Sequence, residues 1–232
     1  MKRYASVLIV MASLLVLAAS AQAETSYRFE MYGSGNFPFD KDFEIGQPQS
    51  SVRLQGHYSF SPGVRGGVRF GVDGLGHWGQ DFFYSYGTNA TKIAVVPNGE
   101  FAFTGRSHQF GYNVLCYPGG LRPRKAYPFL TAGAGGTIYT VSQSTINDGI
   151  AMGLGTLQTH TSFIFNAGGG LRYQFTNNYG FRLDVRDWMS HPPRYGIPAS
   201  SSDPSASVFP VAGVFHQLEV SVAFVYCFRS SK

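Results

Sequence analysis

From Tyr27 onward the chain alternates between apolar and polar residues. Strict alternation over about ten residues marks a strand with two unlike faces. The last stretch is the cleanest: Leu218, Val220, Val222, Phe224, Tyr226 and Phe228 share one face, and Gln217, Glu219, Ser221 and Ala223 the other. Phe181, Leu183 and Val185 oppose Arg182, Asp184 and Arg186. Val68, Phe70 and Val72 oppose Arg69, Gly71 and Asp73. Tyr27, Phe29 and Met31 oppose Arg28, Glu30 and Tyr32. Val52, Leu54, Gly56, Tyr58 and Phe60 oppose Ser51, Arg53, Gln55, His57 and Ser59. Ser61-Pro62-Gly63 and Thr176-Asn177-Asn178 read as tight turns, and 118–126 as a longer one. Strands are therefore predicted at 25–34, 50–61, 65–75, 106–117, 127–141, 160–175, 179–189 and 215–228. Long connections fall at 35–49, about 75–105, 142–159 and 190–214. Short and long connections on alternate ends describe an all-β, up-and-down antiparallel meander of eight strands. Ile93 to Phe103 reads as a hairpin around Pro97-Asn98-Gly99. It is expected to extend the third and fourth strands. A spanning pair there would raise the count to ten.

The polar face decides which way such a meander closes. A lipocalin-like carrier turns its apolar face inward, whereas a membrane barrel turns it outward to lipid. Here the polar face carries Arg28, Glu30, Arg53, Arg69, Asp73, Arg172, Arg182, Asp184, Arg186 and Glu219 at mid-strand positions. Arginine outnumbers lysine 13 to 5. A planar guanidinium binds carboxylates in two-pronged fashion and is weakly hydrated, which suits a narrow interior better than a water-facing surface. Gly71, Gly168, Gly170 and Gly180 share that face and leave room for long side chains. Tyr27, Phe60, Phe110, Tyr112, Tyr173, Phe181, Tyr226 and Phe228 sit near strand ends, as interfacial aromatic girdles do. A transmembrane barrel is the expected fold, because only closure leaves no unpaired backbone edge in lipid.

Composition narrows the class further. Only 13% of the 232 residues are charged, while 16% are aromatic and 29 are glycine. So little charge beside so many aromatics excludes disorder, and so much glycine argues against a helical enzyme. The formal charge of +5 falls to +3 without Lys2 and Arg3, and no basic stripe for nucleic acid exists. Residues 1–23 read as a cleaved signal peptide: Lys2 and Arg3, an apolar run from Val7 to Ala19, then Ala21-Gln22-Ala23. Residues 24–232 are then the barrel domain. Cys116 and Cys227 have opposite strand parity, so two separate thiols are expected rather than a disulfide.

The final strand, Val220, Val222, Phe224, Tyr226 and Phe228, resembles the C-terminal signature that the barrel-assembly machinery reads in bacterial outer-membrane proteins. Arg229 to Lys232 trail beyond the usual terminal aromatic. The run from Gly180 to Asp187 looks like the penultimate strand of the small OmpA/OmpX/opacity-like outer-membrane barrels, which residues 24–228 resemble as a whole. The resemblance implies the outer membrane of a Gram-negative-type bacterium, with both termini periplasmic. It implies contact with outer-membrane lipid and lipopolysaccharide, and an extracellular partner met through the loops.

Chemistry is sparse. His160-Thr161-Ser162 resembles the His-x-Ser of lipid A deacylases, with Ser162 as nucleophile and His160 as base. By parity both face the lumen, and Asn166 and Gln174 stand where an orienting acid is needed. Trp78, Phe82, Phe83, Tyr84 and Tyr86 crowd the second long connection and suggest a contact surface. The sequence therefore predicts a monomeric, non-catalytic barrel without cofactor or metal, with a structural or surface-interaction role. The alternatives are a barrel enzyme acting on lipid A or phospholipid acyl chains, and a narrow ion channel.

Overall fold

A computed structural model describes residues 26–39, 41–46, 53–74, 76–95, 99–121, 125–151, 156–200 and 208–229. The expected signal peptide lies outside the described residues. Ten strands follow in order: β1 (Ser26–Pro38), β2 (Lys41–Gly46), β3 (Arg53–Phe60), β4 (Gly63–Asp73), β5 (Trp78–Val95), β6 (Gly99–Cys116), β7 (Ala126–Thr140), β8 (His160–Gln174), β9 (Tyr179–Ser190) and β10 (Phe215–Arg229). Among the described residues one helix, α1 (Gln143–Ala151), follows β7. Ser142 caps it, its hydroxyl accepting a hydrogen bond from the Thr145 backbone N–H at 3.2 Å.

Eight strands close the wall in the order β1-β4-β5-β6-β7-β8-β9-β10 and back to β1, every pair antiparallel. Following register partners from Tyr27 once round the wall leads to Phe37, ten residues along the same strand. With ordinary strand spacing and rise, that stagger gives a tilt of about 41° and a radius of about 8 Å. Such an interior is filled by side chains. No helix among the described residues is long and apolar enough to cross a membrane; the strands do so.

The eight-strand count is reached by a different path from the one the sequence predicts. Ser61-Pro62-Gly63 is not a reversal. β3 and β4 run in the same direction along β5, so 53–73 is one strand interrupted at Ser61-Pro62. Proline lacks the N–H a ladder needs, which breaks the pairing without turning the chain. The missing strand is β5, in the stretch taken for a long loop. Its upper part pairs with β6 from Ile93↔Phe101 down to Arg106, beyond the reach of β7. The Ile93–Phe103 hairpin is thus an extension, but of β5 and β6. The β2–β3 hairpin lies against β5 at the same height. Arg53, expected in the lumen, pairs with Gly46 in this projecting sheet and is not part of the wall.

Outward positions are apolar: Phe29, Met31, Val68, Phe70, Phe163, Phe165, Leu183, Val185, Val222 and Phe224 are exposed. Inward positions are polar and buried. Aromatics band the short-turn end, where Tyr27 stacks on Phe228 at 5.6 Å and Tyr179 meets Tyr226 at 5.3 Å. Of the aromatics expected in girdles, Phe60 is buried in the opposite mouth, and Phe110 lies midway along the part of β6 that pairs with β7. Trp78, Phe82, Tyr84 and Tyr86 belong to the outer wall rather than to a loop, and Phe83 turns inward against Trp188. The first and last described residues, Ser26 and Arg229, pair at the end that carries the short connections.

Candidate functional site

The lumen is built in three layers. At the short-turn end Leu115, Tyr117, Tyr127 and Phe129 form an apolar floor. Arg172 lies over the Tyr127 ring at 4.8 Å, and Arg182 over the Phe129 ring at 4.3 Å. At the other mouth Phe60, Phe103, Tyr139, Leu157, Tyr195, Ile197, Phe209, Val211 and Phe215 form an apolar cap. Its loop half comes from the connections before β8 and β10. Tyr195, held at φ 51°, drives its ring between Phe103 and Tyr139 and meets Thr91 Oγ1 at 3.3 Å.

Between floor and cap lies the charge network. Asp73 accepts from Arg172 Nη1 at 2.5 Å and pairs with Arg28 Nε at 2.8 Å. Tyr117, just outside β6, donates its phenol to Asp73 Oδ1 at 3.2 Å. Burial pushes that phenol up to about 12, so it stays a donor at neutral pH. Glu30 bonds Arg28 Nη1 and takes Arg182 Nη1 at 3.1 Å. Arg182 Nη1 also reaches Asp81 Oδ2 at 3.0 Å. Asp184 is the hub: it accepts from Arg69 Nη1 at 2.8 Å, Arg182 Nη2 at 2.9 Å and Arg186 Nη2 at 3.1 Å. Nearer the cap, Arg65 Nη1 bonds Glu219 Oε2 at 3.0 Å and Gln109 Oε1 at 2.8 Å. All these charged side chains are buried. In such surroundings, removing one partner strands a charge at a cost of about 3–5 kcal/mol.

Glycine makes the network possible at three points, and at one of them, Gly79, a Cβ would run into Asp73 Oδ1. A Cβ at Gly71 would lie 2.6 Å from Arg28 Nη2. A Cβ at Gly168 would meet Arg186 Cα at 2.8 Å and Cγ at 3.1 Å.

Of the ten charged residues singled out from the sequence, nine meet in this lumen, and Arg53 does not. Two members were missed. Arg65 shares the parity of Arg69, a signal already in the chain. Asp81 was hidden because its strand read as a loop. The suspected dyad is hydrogen-bonded, His160 Nε2 to Ser162 Oγ at 2.9 Å. Ser162 faces the lumen, and among the described residues no carboxylate bonds His160. A His–carboxylate pair was not foreseen. His216 Nδ1 lies 2.7 Å from Asp187 Oδ2 on the outer face, with no hydroxyl or thiol nucleophile among its register neighbours. Cys116 and Cys227 are both free. Val220, Val222, Phe224 and Tyr226 form the outward face of β10, with Phe228 at its lower end.

A closed antiparallel wall with an apolar exterior and an interior of buried ion pairs defines a membrane-spanning β-barrel. The chain belongs to the outer membrane protein beta-barrel domain family, whose model matches residues 9–204. Among solved structures it is similar to the outer membrane protein OprG from Pseudomonas aeruginosa. The TM-score there is 0.59 at 12% identity, over 89% of this chain and 97% of that one. A weaker likeness, TM-score 0.48 at 11% identity, is to the outer membrane protein AlkL in lipid bilayers, over 91% of this chain and 92% of that one. Neisserial surface protein A follows at TM-score 0.42 and 12% identity, over 88% of this chain and 97% of that one. At these identities OprG supports the fold alone. Among curated proteins none matches the chain.

Proposed function

We propose that this barrel is a non-catalytic envelope component whose lumen is a packed strut and whose projecting strands and connections form its working surface. The observation that carries the reading is the sharing of Asp184 by Arg69, Arg182 and Arg186 beneath an apolar cap. A path for solute would require these buried pairs to separate and the cap to lift. The outward apolar belt would sit in outer-membrane lipid and lipopolysaccharide. The β10 face would be read by the assembly machinery. The short-turn end, with both termini, would face the periplasm, and the β2–β3 and β5–β6 extensions would face outward toward an extracellular partner. A monomer suffices, since the wall closes on itself.

Planar-bilayer recording of the folded protein tests the sealed lumen. The expected result is a flat baseline. Discrete, reproducible conductance steps would replace this reading with a narrow channel. The hydrogen bond between His160 and Ser162 favours a second reading, acyl transfer at the barrel mouth. Ser162→Ala should leave the lipid A and phospholipid profile of cells unchanged. A new acylated species in that variant would make the barrel an enzyme.

A further inference from the structure

Six arginines of the described lumen, Arg28, Arg65, Arg69, Arg172, Arg182 and Arg186, face five carboxylates, Glu30, Asp73, Asp81, Asp184 and Glu219. One positive charge is left over. Arg186 has a single carboxylate contact, 3.1 Å to an Asp184 oxygen that already accepts from Arg182 Nε and Nη2. Its register partner across β10 is Glu219. That carboxylate bonds Arg65 through Oε2 and leaves Oε1 buried without a partner, and the Arg186 side chain lies over Gly168 on the opposite side. Arg186 Nε is buried without a hydrogen-bond partner, as are Nε of Arg65, Arg69 and Arg172; among the described residues only at Arg186 does a second orphaned donor follow at the next position of the same strand face. The next inward residue of β9 is Trp188, only 3% exposed, and its indole Nε1–H is also buried and unpartnered. Both side chains leave β9 on its inward face, two residues apart, with about 6.6 Å between their Cα atoms by strand rise. Phe83 and Ile164 enclose Trp188 on the apolar side. A buried cation with too little compensation costs several kcal/mol, and two unsatisfied donors beside it add to the penalty.

We propose that the lumen encloses one small monovalent anion of the halide class between Arg186 and Trp188. The anion neutralises the surplus charge and accepts from both orphaned donors. The ion is trapped as the wall closes, so it is a structural component of the barrel rather than a transported solute.

Crystals of the unmodified protein, refolded and grown in sodium bromide, test this directly. The expected result is an anomalous bromine peak at hydrogen-bond distance from Arg186 Nε and Trp188 Nε1. Electron density for a water bridging Trp188 Nε1 to Asn166 Oδ1, with no bromine signal, would overturn the proposal. Fluorescence gives a second readout. Trp78 is the other tryptophan, so W78F leaves Trp188 as the only emitter. W78F refolded in chloride, bromide or iodide and then freed of bulk halide should emit progressively less by the heavy-atom effect. We expect at least a twofold loss in iodide. The same protein carrying Arg186→Gln should emit equally after all three. Equal emission from W78F in the three halides would refute the site. If the Arg186→Gln chain does not fold, the bromide crystals of the unmodified protein still decide.

Discussion

Replacing Asp184 by Asn is the sharpest probe of the charge network. The side chain keeps its shape and one acceptor oxygen but loses its charge. Three guanidiniums converge on it, from Arg69 at 2.8 Å, Arg182 at 2.9 Å and Arg186 at 3.1 Å, and Ser221 donates at 3.3 Å. Two of them keep other carboxylates: Arg182 retains Glu30 and Asp81, and Arg69 retains Glu30 at 3.5 Å. Arg186 keeps none, and the protein's lumenal surplus grows by one positive charge. Breaking a buried pair costs about 3–5 kcal/mol, and the retained contacts place Asp184→Asn near 3 kcal/mol. That is roughly a hundredfold change in the folding equilibrium. Reversible urea unfolding in lipid vesicles, followed by tryptophan emission, measures it. Arg186→Gln should cost less, about 1 kcal/mol, because Asp184 keeps Arg69 and Arg182. The double variant should fall short of the sum by at least about 1 kcal/mol, as residues of one network do. An Asp184→Asn protein within about 1 kcal/mol of wild type would sink the argument that the network stiffens the lumen.

Gly71→Val should lower stability by about 1–3 kcal/mol through overpacking, since a Cβ there meets Arg28 Nη2 at 2.6 Å; a fall in the temperature at which the barrel opens in SDS would register it. Val222→Arg, on the outward face and 55% exposed, should cost about 2–4 kcal/mol in bilayers by placing a charge in the apolar belt, and a loss no larger than that of a surface substitution would mean the belt is not in lipid. An epitope inserted after Gly213 should bind antibody on intact cells, whereas one at Asn177 should bind only after permeabilisation; the reverse result would invert the proposed orientation.

Much of the wall is legible in the chain because one rule governs it. β1, β4, β8, β9 and β10 alternate cleanly, since most inward positions meet the charge network or another lumenal layer and outward positions meet lipid. β5 breaks the rule at Phe82-Phe83-Tyr84. The middle ring points inward because Trp188 gives it an aromatic neighbour at 5.3 Å. No local pattern announces that. Ser61-Pro62-Gly63 misleads for a different reason: proline and glycine mark a reversal and an interrupted ladder with the same residues. The charged residues can be picked out by parity, but their partners cannot. Arg28 finds Asp73, and Arg65 finds Glu219, only once distant strands stand side by side. The apolar cap is still less readable, since it draws Phe60, Phe103, Tyr195 and Phe209 from four separate segments.

The seam between β1 and β10 sets the order of events in making this molecule. Tyr27 pairs with Phe228, so the first strand waits for the last before it gains its second neighbour. The interior charges wait with it, for Glu30 meets Arg182, and Arg65 meets Glu219, across more than 150 residues of chain. Until the final strand arrives, these cross-lumen pairs are unmade, and an early-closing, shorter wall would strand their groups in lipid. Completion of the network and closure are therefore a single late event. A chain interrupted anywhere before β10 carries both an open edge and an unpaired lumen, which makes it a target for proteolysis rather than a smaller barrel.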